Sequence, residues 1–365
     1  MRLFGSTSCK FVRQILLLTN IFVSSPLLWS QEQHSGTPLS FTKMLSPVTQ
    51  TLSYTFDEPI DSNLVDSTYR VGLPEHVNID FFQLAQHEIT SDGISIYRLR
   101  FEIPDILGIG FDFSSFQLPE GDSFFAYSTD RNVILGAFTS SNNQSDGKFS
   151  IQPIPSSTVL LEYNETATGT TIPSIMINRI KKIYKPFFEM SPNTFNRSLD
   201  CMVQVHCEEN IEVERSVVRW MYYDLAEQVY KVCSGVLITQ DVPSNQLKPY
   251  IITANHCGQN AELSTAIFYF NYQPPFCGSS FFYNINHTLV GSTQKASRSN
   301  YDMFLLELYT FPPPDYNVHL AGYNRSSWSN LTDFIMGIHH PQGTEKRISL
   351  GTLQANTNAN LWRVS

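Results

Sequence analysis

Between Ile94 and Ile103 apolar and polar side chains alternate: Tyr97, Leu99, Phe101 and Ile103 fall on one face, Arg98, Arg100 and Glu102 on the other. A period of two is that of a half-buried strand. Ile109, Phe111 and Phe113 repeat it, Phe124 to Tyr127 follows the turn Pro119-Glu-Gly-Asp122, and Thr158 to Tyr163 follows a turn bounded by Pro153 and Pro155. No long helical period interrupts these short strands, so residues 31–176 are expected to form an antiparallel β-sandwich. Residues 31–91 carry no readable motif. The stretch Ile177-Asn-Arg-Ile-Lys-Lys-Ile-Tyr-Lys185 is basic and compatible with a helix, and 186–198 is rich in Pro, Asn and Ser. Such composition marks a linker over 177–198, with Lys181, Lys182, Lys185 and Arg197 as candidate processing sites or ordinary exposed basic residues. From Leu199 a second series of apolar runs begins: Met202–Val205, Val217–Leu225, Val229–Thr239, Ala266–Tyr272, Met303–Leu308, Asp333–Ile338 and Lys346–Leu350. The whole chain is therefore expected to be all-β, with a second β domain over 199–365.

A length of 365 residues suits two domains with cores of their own. Acids outnumber bases, 33 to 24, for a formal net charge of -9, and no Lys/Arg cluster reverses that balance locally. Nucleic acid is thus an unsuitable partner. At the amino terminus Arg2, Lys10 and Arg13 precede a broken apolar stretch from Ile15 to Trp29. It is too short and interrupted for a membrane span and reads as a secretory signal over residues 1–30, cleaved after Ser30; a retained anchor is the alternative. Export implies a secreted or extracytoplasmic protein without stable membrane insertion, in a compartment where cysteines pair.

Candidate chemistry centres on Pro249-Tyr-Ile-Ile-Thr-Ala-Asn-His-Cys-Gly258, where a β-branched run ends in a small polar turn presenting His256 beside Cys257. A histidine fixed between a rigid strand and an exposed turn is suited to acid–base work. Thr253-Ala-Asn-His-Cys257 resembles the sequence around the general base of trypsin-like serine peptidases. Cys233-Ser-Gly-Val-Leu-Ile, Phe270-Asn-Tyr-Gln273, Cys277, Gly337-Ile-His-His-Pro341 and Lys346-Arg-Ile-Ser349 narrow the likeness to bacterial lysyl endopeptidases. That resemblance implies a trypsin-like double β-barrel acting on protein or peptide substrates without a cofactor. It also implies His256 as base and Asp302, just before Met303-Phe-Leu-Leu-Glu-Leu308, as the acid that orients it. The order of Leu118-Pro-Glu-Gly121, Tyr127-Ser-Thr-Asp130 and Gly136-Ala-Phe138 is similar to the β region preceding such peptidases, implying a propeptide or accessory domain.

The nucleophile departs from the family pattern. The family carries its serine in a Gly-x-Ser-Gly turn whose amides also bind the oxyanion, and no such turn follows Asp302. Ser326, Ser327 and Ser329 lack flanking glycines, Ser349 lies upstream of the family position, and Ser365 is terminal. Asn360-Leu-Trp-Arg-Val364 resembles the strand before the nucleophile loop, so the expectation is that the barrel is incomplete, with nucleophile and specificity pocket past Ser365. The other class of reading is an exported, non-catalytic binding protein with a protease-like shell. Six cysteines less Cys9 leave five; the resemblance pairs Cys233 with Cys257 and Cys207 with Cys277, leaving Cys201 over. No metal is expected: neither His339-His340 nor the group Cys201, His206, Cys207 and Cys233 has a metal-ligand spacing.

Overall fold

The computed structural model describes residues 36–56, 70–166, 172–185, 202–208, 212–279, 285–324, 334–354 and 363–364. Its regular elements are strands joined by short helical turns, so the all-β expectation holds. One six-stranded sheet is built on Ser95–Glu102, flanked by Thr158–Glu165 and then Ser123–Ser128 and Ile134–Phe138. On its other edge lie Gln86–Ile89 and Thr51–Ser53, the latter running parallel to it. Leu99 and Phe101 point into an apolar core, as their alternation requires. On the opposite face Arg98 is also buried, because the passing chain covers it: its guanidinium bonds Glu88 and donates to Ser46 O at 2.8 Å.

The facing layer is Arg70–Asp80, Ser174–Ile183, Gly108–Gln117 and Phe149–Ile154, paired in that order. This corrects the linker. Residues 174–183 are a central strand between two partners, not a basic helix, and Lys181 is 1% exposed. Two features hid it. A register shift between Ile177 and Arg179 breaks the alternation, and Ile177, Ile180 and Ile183 then recur three apart, as on a helix. Residues 186–201 lie outside the described residues.

The second layer does not stop at the amino-terminal half. Arg70 and Gly72 pair with Lys231 and Tyr230 of Val229–Ile238, so one eleven-stranded sheet runs on through Val217–Asp224, Ile267–Tyr269 and Thr288–Val290. A branch from Val229–Ile238 passes through Tyr250–Thr253 and Met303–Leu308 to Ser292–Arg298, rolling the peptidase-like part around its own core of Val218, Trp220, Leu237, Ile251, Phe268 and Phe304. A third sheet pairs Arg347–Gln354 with Phe334–His339, Val203–Gln204 and Arg363–Val364. Cys207–Cys277 ties the turn that follows Val203–Gln204 to the loop after Ile267–Tyr269, Cα atoms 4.7 Å apart. Cys201 lies outside the described residues. No helix among the described residues is long and apolar enough to cross a membrane.

Candidate active site

Strand register brings the site together. Tyr250–Thr253 and Met303–Leu308 are antiparallel with Thr253 opposite Phe304, so the residues leaving one strand meet those leading into the other. Asn255–Gly258 then forms a single helical turn, and Asp302 occupies a left-handed conformation, φ 49° and ψ 42°. Aspartate tolerates that region better than most residues. Gly258 permits the close approach: a Cβ there would sit 2.4 Å from the Phe304 ring.

Asp302 grips the turn at three points. Its carbonyl accepts from Asn255 N–H at 3.0 Å, its Oδ1 from His256 N–H at 2.9 Å, and its Oδ2 from the His256 ring Nδ1–H at 2.7 Å. Partial burial pushes the carboxyl up, but the His256 main-chain and ring donors outweigh it and hold it below the ordinary carboxylate range. With Nδ1 donating, the lone pair that can take a proton sits on Nε2, the tautomer a general base needs. Both side chains remain about half exposed, at 56% and 50%.

A disulfide joins Cys233 to Cys257, Cα atoms 6.4 Å apart, and pins the histidine turn to the neighbouring strand. Cys233, His256 and Cys257 bring three potential metal-ligand atoms together, but the two sulfurs are bonded to each other and offer no thiolate. Opening this bridge with Cys233→Ser and Cys257→Ser should lower stability by about 3 kcal/mol, from the unfolded-chain entropy of a loop this size. Urea unfolding checks it, and a loss below about 1 kcal/mol would show that the turn is held by Asp302 alone.

Two supporting residues escaped the sequence reading. Ser234 accepts from Thr253 Oγ1 at its carbonyl (2.8 Å) and from His340 N–H at its hydroxyl (2.9 Å), linking the histidine strand to the third sheet. Ser234 directly follows Cys233 and Thr253 stands three residues before His256 in the quoted motifs, the only signal available. The other candidates go elsewhere. Ser349 Oγ lies 2.9 Å from His339 Nε2, and His340 is buried, held neutral by burial, with its Nδ1–H on Thr344 O at 3.0 Å. Ser326, Ser327, Ser329 and Ser365 lie outside the described residues.

Residues 195–364 match the family model described as Lysyl endopeptidase, C-terminal domain. This part of the chain resembles the trypsin-like lysyl endopeptidases. The match begins just ahead of the disulfide-linked segment and covers the His256 turn, Asp302, the carboxyl-terminal strands of the eleven-stranded sheet and the whole of the third sheet. The eleven-stranded sheet extends amino-terminal of it, into strands the family model does not cover. Protein or peptide substrates are those of a protease family in general, and the two disulfides agree with an extracellular setting.

Proposed function

We propose that the chain carries the base and the orienting acid of a secreted serine endopeptidase of the lysyl-endopeptidase type. His256 Nε2 would take the proton of an attacking serine hydroxyl and return it to the leaving amine, while Asp302 fixes the ring and stabilises the imidazolium. The observation that carries this reading is the 2.7 Å Nδ1–Oδ2 contact, reinforced by the main-chain bond that keeps ring and carboxylate in register. In the 365-residue sequence no glycine-flanked serine turn follows Asp302. On this reading the 365-residue chain hydrolyses lysyl and arginyl peptides no faster than background. Turnover abolished by His256→Ala would overturn that and imply another serine. The reading frame past codon 365 supplies the complementary test. A Gly-x-Ser-Gly turn there, with activity in the longer chain falling by at least about 10⁴ on His256→Ala, supports the peptidase. A stop codon favours the non-catalytic binding protein.

A further inference from the structure

The strands of the peptidase-like barrel that face the amino-terminal half are buried on both sides. Along Val217–Asp224, Val218, Trp220 and Tyr222 enter the barrel core, while Met221 and Tyr223 enter the core of the sandwich. The same division recurs next door. Tyr230 and Val232 join the sandwich core and Leu237 the barrel core; Ile267 and Tyr269 join the first, Phe268 the second. One apolar cluster thus contains side chains from both halves, and the barrel's outer wall is apolar where a free barrel would face water.

Polar contacts at the seam are specific and, apart from that of Lys148, largely buried. Tyr230 donates to Asp112 Oδ2 at 2.6 Å; Arg179 bonds both Asp112 and Glu262 and stacks on Tyr223 at 4.1 Å; Lys148 reaches Glu262 at 3.0 Å. Main-chain pairing of Arg70 and Gly72 with Lys231 and Tyr230 closes the joint. Separating the halves would take Tyr230 from Asp112, strip Glu262 of Arg179 and Lys148, and expose at least six apolar side chains, all unfavourable.

We propose that the amino-terminal unit is a permanent part of the peptidase-like body, and that the two halves stay together as a non-covalent pair when the chain between them is cut. The proposal does not depend on the catalytic reading. Its test inserts a site-specific protease sequence between Asn193 and Thr194 of the full chain, cuts it, and runs gel filtration in physiological salt without denaturant. Both pieces should elute together at the size of the uncut protein; an amino-terminal piece eluting alone beside a folded barrel would overturn the proposal. Should the insertion prevent folding or cutting, hydrogen exchange on the native full chain decides. Amides of Ser95–Glu102 and Tyr250–Thr253 should lose protection at the same denaturant concentration. Loss of one set while the other stays fully protected would overturn it.

Discussion

Asp112→Ala should cost about 3–5 kcal/mol, the penalty of leaving buried charge without its partner. The carboxylate is fully buried and takes Lys181 Nζ at 2.5 Å, Arg179 Nε at 3.0 Å, Tyr230 at 2.6 Å and Ser150 at 2.8 Å. Burial pushes its pKa up, but the Lys181 and Arg179 charges dominate and keep it low and ionised. Truncation leaves Lys181 with only neutral acceptors, while Arg179 retains Glu262. Replacing the pair together, as Asp112→Leu with Lys181→Met, should recover most of the loss, because two matched apolar side chains carry no unpaired charge. Urea unfolding at neutral pH measures both. A single substitution costing under about 1 kcal/mol would mean that the seam is not closed around this cluster.

The second large effect is a pH dependence set by Lys346. Its ammonium is fully buried and held by Gln273 Oε1 at 2.6 Å and Glu214 O at 2.8 Å, both neutral oxygens. Burial pushes its pKa down to about 7, from 10.5, with the Glu214 charge pulling weakly the other way. A base with a depressed folded pKa is penalised wherever it is charged. Below about pH 7 folding bears the whole penalty; between about 7 and 10.5 the unfolded state binds more protons, so stability rises with pH. Relative to Lys346→Met, the wild-type chain should gain up to about 1.4 kcal/mol per pH unit across that window, about 5 kcal/mol in all. The hydrogen bonds lost in the variant shift the difference by a constant and leave the slope intact. A flat or falling difference would contradict this account.

Legibility in the sequence followed the reach of the interactions. His256 and Asp302 were readable because each sits beside a local motif, and register did the rest. Val217–Asp224 was readable as a strand from its apolar run, yet nothing local says that its two faces serve two cores. Arg70–Asp80, the strand that joins the halves, was missed. Pro74, Glu75 and His76 break its apolar pattern, and its order comes from pairing with residues a hundred positions later. Residues 177–183 were misassigned because Arg179, Lys181 and Lys182 look like solvent-exposed charge until Asp112, Glu262 and Glu75 are brought beside them. Long-range ion pairs leave no periodic trace.

The central claim is that Asp302 holds His256 with its proton on Nδ1. The direct measurement is ¹⁵N NMR of the His256 ring, at a pH where it is neutral, in the wild-type chain and in Asp302→Asn. The account predicts the Nδ1–H tautomer in the wild type and a shift of the proton to Nε2 in the variant, whose amide can donate to Nδ1. An Nε2–H ring in the wild type, or a tautomer indifferent to Asp302→Asn, would contradict it.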